Sequence, residues 1–368
     1  MLHIWGKLVV LIFGLLVGFM LGELVVRSFL PQKLMRPCIS SDPELAFNGV
    51  RDCAYLDDWT PEYYQYYVSL NAQGLRQERD LSQQDSQQIL CLGDSFAFGM
   101  GVDVQHSFVG LLEKWLDKFN LTHQLVNAAY PAYSSGHSRR MQERLEQDFK
   151  FDKVIYFMYF NDLFDNVNQD INYRTHSYSI DTTGNALLKN ELVYTPNKRL
   201  WHRFEVAEWL YKNSHLTILI KNVLKPQNRA FENNDPRIQQ QLSLEKANEM
   251  IAVTIAHIEA LAAACRAKQQ ELLLVYIPCW KELNLNNDYG WESNFPFQLF
   301  KSQLRNSLKT ENLTMEFLDA TKNMNASLND NYPPYSTYYF EEGHFNEAGN
   351  LWFYNAVKEE ILQFIVKK

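Results

Sequence analysis

Residues 89–101 read ILCLGDSFAFGMG, a short apolar run that ends in Gly93-Asp94-Ser95. The run has the length of a buried strand, and the glycine-punctuated stretch after it is typical of a turn that leads into a helix. This order places a serine at the carboxyl end of a strand, where α/β proteins collect their ligands. The stretch therefore predicts an α/β fold with a candidate nucleophile, although a serine after Gly-Asp is also a common turn residue or helix cap.

Alternating strand and helix patterns continue along the chain from Gln88. The predicted strands are residues 88–92, 124–129, 154–160, 271–278 and 314–319, and predicted helices lie between and after them. The third strand is apolar without alternation, which is typical of a strand buried on both faces of a parallel sheet. The pattern predicts a doubly wound α/β fold with a five-stranded parallel sheet, in a flavodoxin-like three-layer sandwich.

The N-terminal residues differ from the rest of the chain. WGKLVVLIFGLLVGFMLG carries one charge, that of Lys7, and residues 4–26 are long enough to cross a lipid bilayer as a transmembrane helix. No small-x-small cleavage site follows, which favours an uncleaved anchor over a signal peptide. The basic residues after the span outnumber Lys7 before it, and this count favours a cytoplasmic body.

Three segments are predicted from these patterns. Residues 1–26 form the membrane anchor, and residues 27–84 form an irregular juxtamembrane wrap rich in Tyr, Asp and Gln. Residues 85–367 form the α/β domain. A polar, Asn-rich stretch at 163–240 interrupts its strand and helix alternation, and an interruption of this length predicts an inserted cap or lid.

Charge and cysteine content exclude some classes of function. The net charge of −8 argues against a general nucleic-acid binder, which needs a basic face. The five cysteines show no CxxC motif or Cys/His cluster, so no metal site is predicted. Cys38 and Cys53 lie close enough in sequence to pair in an oxidising compartment, whereas the other three sit in apolar contexts.

Polar groups follow the ends of several predicted strands. Ser95 follows the first strand, residues 127–132 form the carboxyl end of the second and the loop after it, and Asn161 follows the third. The final connection adds His344 in the sequence EEGH. A hydroxyl, an amide, backbone N–H groups and an imidazole at one rim of a sheet are the parts of an acyl-transfer site.

These blocks resemble those of the SGNH, or GDSL-type, hydrolases, and within that family the membrane-anchored bacterial branch. The likeness covers roughly residues 70–367, and five fragments fall in the family order: NAQGLR, LGDSFAFGMGV, VNAAYPAYSS, YFNDLFDN and EEGHFNEAG. The resemblance implies the SGNH-hydrolase form of the three-layer fold. It also implies serine chemistry that requires no metal and no organic cofactor.

The resemblance assigns roles to individual residues. Ser95 is similar to the family's nucleophile and His344 to its base, because an unassisted serine hydroxyl attacks poorly near neutral pH. The oxyanion hole would be built from the backbone N–H groups of Ser95 and Ala132 and the side chain of Asn161.

Two positions depart from the family pattern. Ala132 stands where the family usually has glycine, so its backbone N–H serves only if the local dihedral angles suit a residue with a Cβ. Glu341 stands three residues before His344, where the family usually has aspartate, and its extra methylene shifts the carboxylate. Glu342 is the alternative acid, and a Ser-His dyad without an acid also stays open.

The aromatic tract before His344 raises the question of a carbohydrate subsite. Tyr338 is a candidate substrate contact there, although ordinary packing is the alternative for a chain with 20 tyrosines. The resulting hypothesis is a membrane-anchored serine esterase that hydrolyses O-acyl esters, in particular O-acetyl esters of a cell-envelope glycan.

Two rival functions remain at this point. An O-acetyltransferase would use the same acyl-serine intermediate, and a non-catalytic glycan-binding or assembly factor would keep the fold with a degenerate site. The expected partners are an acylated carbohydrate and the lipid bilayer, without nucleic acid. The resemblance implies a single-pass protein of the cytoplasmic (inner) membrane with its catalytic domain outside the cytoplasm, against the direction of the basic-residue count.

Overall fold

The computed structural model describes residues 2–367 except 33, 35, 36, 43, 58–63, 84–86, 120, 122, 168–176, 181–185, 191–204, 225–242, 287–296, 311–314 and 329–331. The chain divides into two compact units. The small unit is Met1–Pro37 with Thr195–Glu232, and the large unit is Cys38–Tyr194 with Asn233–Lys368. Much of the predicted insertion at 163–240 lies outside the described residues, and the rest is shared between the two units.

The small unit begins with the apolar helix α1 (Leu2–Phe29). Its stretch Trp5–Phe29 is long and apolar enough to cross a membrane, with a mean hydropathy of 2.6 and 6% of the most apolar window buried. Because almost all of this apolar surface faces outward, the helix differs from the core helix of a soluble protein. The prediction of an N-terminal apolar helix is confirmed.

Two β-hairpins open the large unit, in the segment predicted to be an irregular wrap. Strands β1 (Ile39–Asp42) and β2 (Ala46–Gly49) pair antiparallel, as do β3 (Cys53–Asp57) and β4 (Tyr66–Leu70). Strand β4 alternates buried and exposed residues along its five positions. Strands this short leave little periodicity in the sequence, which explains why the pattern there predicts no regular element.

The hairpins are joined by a disulfide and pack on the loop that carries Ala132. Cys38 and Cys53 form the bond, with an S–S distance of 2.04 Å, as their proximity in the sequence allows. The Tyr133 hydroxyl donates to the carbonyl oxygen of Phe47 at 2.7 Å. The first hairpin therefore supports the loop after the second strand of the central sheet.

Removing this disulfide is expected to destabilise the large unit. The two cysteines are 15 residues apart, and closing a loop of that size in the unfolded chain stabilises a fold by about 3 kcal/mol. We expect Cys53→Ser to lower the free energy of unfolding by that amount in denaturant titrations. Reductant should lower the stability of the wild type equally and leave the variant unchanged; equal stability of wild type and variant would refute the expectation.

The first half of the central α/β fold runs from Gln88 to Asp165. Its elements are β5 (Gln88–Gly93), α2 (Ser95–Phe98), α3 (Phe108–Lys118), β6 (Gln124–Asn127), α4 (Ser135–Leu145), β7 (Lys153–Tyr159) and α5 (Asn161–Asp165). Every residue of β5 and β7 is buried. Both faces of these strands are therefore covered, as the unbroken apolar sequence of the third strand predicts.

The second half follows the inserted segment. The insertion contributes the paired strands β8 (Ser177–Ile180) and β9 (Ala186–Asn190) and, in the small unit, α6 (Glu205–Asn213) and α7 (His215–Leu224). The α/β fold resumes with α8 (Leu244–Ala267), β10 (Glu271–Ile277), α9 (Phe297–Thr310), β11 (Met315–Asp319), α10 (Thr321–Ser327) and α11 (Glu347–Val366). Helix α8 is also long and apolar enough to cross a membrane, but half of its most apolar window is buried in the large unit.

The five strands form one parallel sheet in the order β6-β5-β7-β10-β11. In chain order this is 2-1-3-4-5, the flavodoxin-like order, whose switch point lies between β5 and β7. The predicted doubly wound, five-stranded fold is confirmed. Ligands of such sheets bind beyond the carboxyl ends of the strands, next to the switch point, which is where Ser95 and Asn161 follow β5 and β7.

The last helix, α11, is fixed to the first half of the fold. It packs with α3, and the Asn350 side-chain oxygen accepts a hydrogen bond from the Phe108 backbone N–H at 3.0 Å. Both partners are buried. This contact positions the segment that precedes α11, which includes His344.

Candidate active site

The turn between β5 and α2 holds Ser95 in place. Asp94 caps α2, with its Oδ1 accepting a hydrogen bond from the Phe96 backbone N–H at 2.9 Å. A Cβ on Gly93 would lie 2.7 Å from both the Ala97 Cβ and the Phe157 carbonyl oxygen, so only glycine fits there. The chain therefore leaves the strand sharply and presents Ser95 as the first residue of α2.

The structure brings Ser95 together with His344. The Ser95 Oγ lies 2.7 Å from His344 Nε2, although the two residues are 249 positions apart in the chain. Ser95 is 6% exposed, while the His344 side chain is 20% exposed. A buried hydroxyl with a partly exposed imidazole at hydrogen-bonding distance is the geometry in which histidine accepts a serine proton.

The carboxylate beside the imidazole belongs to Glu342. Its Oε2 lies 2.5 Å from His344 Nδ1 and also accepts the His344 backbone N–H at 3.1 Å. Gly343, with φ 110°, allows the tight turn that folds the Glu342 side chain back onto the ring. Two hydrogen bonds to one residue fix the orientation and tautomer of the imidazole.

Glu341, the first candidate for the acid, does not occupy this position. Within the described part of the chain it makes no hydrogen bond or ion pair with His344. The turn closes through a hydrogen bond from the Phe340 backbone N–H to the His344 carbonyl oxygen at 2.8 Å. This turn therefore brings the carboxylate of Glu342, and not that of Glu341, to the imidazole of His344.

Aromatic packing supports the imidazole from one side. The Phe96 ring lies 5.2 Å from the His344 ring and 4.0 Å from the Tyr159 ring, measured between centroids. Phe345 packs edge-on against Phe96 at 5.0 Å. These contacts restrict the side-chain rotation of His344 and keep Nε2 directed at Ser95.

Ala132 adopts a backbone conformation that suits the predicted oxyanion-hole position. Its φ is 64°, in the left-handed region that favours glycine. The loop lies against β5, because the Tyr130 backbone N–H donates to the Gly93 carbonyl oxygen at 3.3 Å. In the described parts of the chain, the backbone N–H groups of Ser95 and Ala132 donate to no protein acceptor.

Asn161 lies beside the residue that precedes the nucleophile. Its Nδ2 donates to Asp165 Oδ2 at 3.1 Å, and its side chain lies close enough to Asp94 to lower the pKa of that carboxyl. Asp165 is buried and follows Asn161 by one helical turn, the spacing at which side chains on a helix meet. Sequence analysis missed Asp165, whose signal is its four-residue spacing from Asn161 in YFNDLFDN.

Asp94 carries a perturbed carboxyl group. Burial raises its pKa to about 6, against the lowering effects of the Phe96 backbone N–H, the charge of His344 and the Asn161 side chain. Because the pKa in the folded protein exceeds its ordinary value of 3.8, the carboxyl favours folding most strongly when it is protonated. Its contribution to stability is complete below about pH 4 and is lost as the pH rises through about 6.

Replacing Asp94 by asparagine should remove this pH dependence. The introduced amide keeps an oxygen for the Phe96 N–H but cannot ionise, so Asp94→Asn is expected to gain stability relative to wild type between pH 4 and pH 7. The upper bound of the gain is about 3 kcal/mol, at about 1.4 kcal/mol per pKa unit. Denaturant titrations at both pH values measure it, with the exposed Asp148→Asn as the charge-matched control; parallel curves for both variants would contradict the assignment.

Arg76 is a second residue that sequence analysis left without a role. Its buried guanidinium donates to the carbonyl oxygens of Phe98, the last residue of α2, and of Gly99 and Val102, which follow α2. It also lies over the Phe98 ring, 4.6 Å from the centroid. Arg76 belongs to the NAQGLR block, most of which is buried. An arginine in such a block is the feature that indicates a structural role for its guanidinium.

Tyr338, the candidate substrate contact, packs against the last helix. Its ring stacks on that of Trp352 with centroids 4.1 Å apart, and its carbonyl oxygen accepts the Asn346 backbone N–H at 3.0 Å. In the described structure it makes no contact with Ser95 or His344 among its hydrogen bonds and ring contacts. These contacts favour the packing interpretation over the carbohydrate subsite.

No group of three or more His, Cys, Asp or Glu residues that could hold a metal ion occurs among the residues that the structure describes. The structure instead aligns the Ser95 hydroxyl, the His344 imidazole and the Glu342 carboxylate, and the backbone N–H groups of Ser95 and Ala132 have no protein acceptor among the described residues. Their arrangement can activate a serine and stabilise a negative oxygen next to it.

Several solved structures align with most of this chain at low identity. A psychrotrophic esterase from Pseudoalteromonas is 12% identical, with 76% of this chain and 98% of the esterase covered and a TM-score of 0.39. A GDSL-like lipase from Bacteroides thetaiotaomicron is 10% identical, with 78% and 92% covered and a TM-score of 0.39. An acetyl xylan esterase from Geobacillus stearothermophilus is 15% identical, with 75% and 95% covered and a TM-score of 0.38.

No protein-family model matches the chain, and no curated protein matches it. At the TM-scores above, the likenesses to solved structures carry no argument about activity. The function is therefore inferred from the geometry around Ser95.

Proposed function

We propose that this protein is a serine esterase that hydrolyses O-acyl esters. The observation that carries the proposal is the hydrogen-bonded chain from Ser95 Oγ to His344 Nε2 at 2.7 Å and from His344 Nδ1 to Glu342 Oε2 at 2.5 Å. A hydroxyl, an imidazole and a carboxylate in this order form the arrangement by which serine hydrolases activate their nucleophile. A degenerate site would have no need to hold all three groups at hydrogen-bonding distance.

The reaction begins with the attack of Ser95 Oγ on the carbonyl carbon of the ester. His344 Nε2 takes the hydroxyl proton, and Glu342 stabilises the imidazolium that results. His344 then gives the proton to the departing alcohol oxygen as the carbon–oxygen bond breaks, which leaves an acyl-serine. Water attacks this intermediate as His344 takes one of its protons; the bond between the acyl carbon and Ser95 Oγ then breaks, His344 returns the proton to Oγ, and the carboxylic acid leaves.

The tetrahedral intermediates need donors beside the carbonyl oxygen. In this proposal the backbone N–H groups of Ser95 and Ala132 provide two of them, and the Asn161 amide provides the third. The two backbone donors have no protein acceptor in the described structure. One Nδ2 hydrogen of Asn161 is bonded to Asp165, so in this proposal the second Nδ2 hydrogen is the one donated to the oxyanion.

The proposed setting is a membrane surface outside the cytoplasm. The exposed apolar helix α1 supports an anchor in the cytoplasmic membrane. The Cys38–Cys53 disulfide supports an oxidising compartment for the large unit, since disulfides seldom persist in the cytosol. Ester substrates in that location include O-acetyl groups of envelope glycans, which we propose as the substrate class.

The test is the release of acetate from acetylated polysaccharides by the full-length protein in detergent micelles. Acetylated xylan and acetylated peptidoglycan fragments serve as substrates, and Ser95→Ala is the matched control. Acetate release by the wild type alone supports the proposal. Transfer of acetyl groups from a donor ester to an added glycan, in preference to water, would replace hydrolysis by acyl transfer.

A further inference from the structure

Helix α7 is attached to the end of α1 through Glu23. The Glu23 carboxylate accepts hydrogen bonds from the backbone N–H groups of His215 at 3.0 Å and Leu216 at 2.9 Å, and from the Ser214 hydroxyl at 2.8 Å. The first N–H groups of a helix have no partner within the helix, and a carboxylate satisfies them while complementing the helix dipole. A residue of the apolar helix therefore caps a helix of the inserted segment.

Further contacts fix α7 along the last turns of α1. A Cβ on Gly22 would lie 2.9 Å from Leu216 Cδ2, so the two helices approach closely at a glycine. Arg27 donates to the Asn213 carbonyl oxygen at 2.7 Å. Ile218, in the same helix, is buried. The contacts join the inserted helix to the part of α1 that ends the apolar span.

The outward face of α7 is apolar and exposed. Ile220, Val223 and Leu224 are 47%, 70% and 75% exposed, and they recur at the spacing of one helix face. Lys221 is exposed on a different side of the helix. Moving apolar surface from water to an apolar environment is favourable by about 25 cal/mol for each square ångström, so contact with an apolar neighbour would stabilise this face.

The exposed surface of α7 continues the exposed surface of α1. The apolar residues at the end of α1 stay exposed past the Glu23 contact, among them Leu24, Val25, Phe29 and Leu30. Trp209, on the preceding helix α6, is 61% exposed. Tryptophan is the side chain enriched at the boundary between lipid and water.

We propose that α7 lies in the lipid–water interface beside α1, with Ile220, Val223 and Leu224 in contact with phospholipid acyl chains. The proposal rests on the proposed membrane anchoring of α1. A short amphipathic helix joined to a membrane span buries its apolar face at the headgroup boundary and leaves its lysine in water. The chain then meets the membrane twice, once at its N-terminus and once within the segment inserted between β9 and α8.

The experiment uses the full-length protein reconstituted in vesicles of phosphatidylethanolamine and phosphatidylglycerol. Single cysteines are introduced as Val223→Cys, Ile220→Cys and Lys221→Cys and labelled with the fluorophore NBD-maleimide, and Leu15→Cys reports on α1. The native thiols are bonded or buried, so the dye reacts with the introduced cysteine. Brominated lipids quench a dye in the bilayer, and iodide quenches a dye in water.

The expected result is that brominated lipids quench the dye at residues 15, 220 and 223 several-fold more than the dye at residue 221, with the reverse order for iodide. Quenching by lipid at residue 15 combined with iodide access at residues 220 and 223 would overturn the α7 proposal and leave the anchor intact. Protection of residue 223 from both quenchers would replace lipid by a second copy of the chain. Iodide access at residue 15 would overturn the anchoring itself.

Discussion

Ser95→Ala is expected to lower kcat for ester hydrolysis by about 10⁶-fold, the scale on which loss of a serine nucleophile acts in subtilisin. The variant loses the atom that forms the acyl intermediate, while His344 and Glu342 stay in place. The measurement is hydrolysis of p-nitrophenyl acetate by the full-length protein in detergent. A fluorophosphonate probe, which forms a covalent bond only with an activated serine, should label the wild type and fail to label the variant.

Ser302→Ala is the matched control for this prediction. Ser302 lies exposed on α9 and is not a residue of the proposed site. It should keep full labelling and full activity. Labelling of Ser95→Ala, or a wild type that the probe does not label, would contradict the assignment of the nucleophile. An unlabelled wild type with an intact fold would instead favour the non-catalytic binding function.

Glu342→Gln is expected to lower kcat by about 10⁴-fold, as the corresponding change does in a serine protease triad. The amide keeps the size of the side chain but cannot stabilise the imidazolium, and it favours the wrong tautomer of His344. Glu341→Gln makes the same chemical change one residue away, without a hydrogen bond to the ring. It should leave kcat within about twofold of the wild type, since an exposed or half-exposed charge contributes little.

The pair of variants separates the two acids directly. Steady-state kinetics with p-nitrophenyl acetate provide the comparison, with kcat and kcat/KM measured for both variants and the wild type. Equal losses in both variants would indicate shared roles for the two carboxylates. A loss confined to Glu341→Gln would show that the geometry around His344 does not represent the active state.

The sheet could be predicted because its strands are short apolar runs whose burial pattern is visible locally. Val154 to Tyr159 read as buried on both faces, and they are buried. The polar ends of these strands could be predicted for the same reason, since topology alone brings the carboxyl ends of parallel strands to one edge. Ser95 and Asn161 therefore needed no knowledge of side-chain packing.

The roles that the sequence leaves open and the residues that it does not reveal both depend on the path of the chain between these points. The selection of Glu342 over Glu341 follows from a turn at Gly343, and such a turn has no periodic signal. Asp165 acts through a contact within its own short helix, and Arg76 acts through contacts to residues 98–102, which composition does not encode. The pairing of Glu23 with residues 214–216 joins segments about 190 residues apart, which no local pattern predicts.

The long chain separation between Ser95 and His344 has a consequence for how activity responds to stress. The histidine reaches the serine only while the segment before α11 is docked, and the Asn350–Phe108 hydrogen bond is part of that docking. Opening of a terminal helix requires less free energy than melting of a central sheet. Heating or mild denaturant should thus abolish catalytic activity while the five strands stay paired. Cooling should restore the activity without refolding of the sheet.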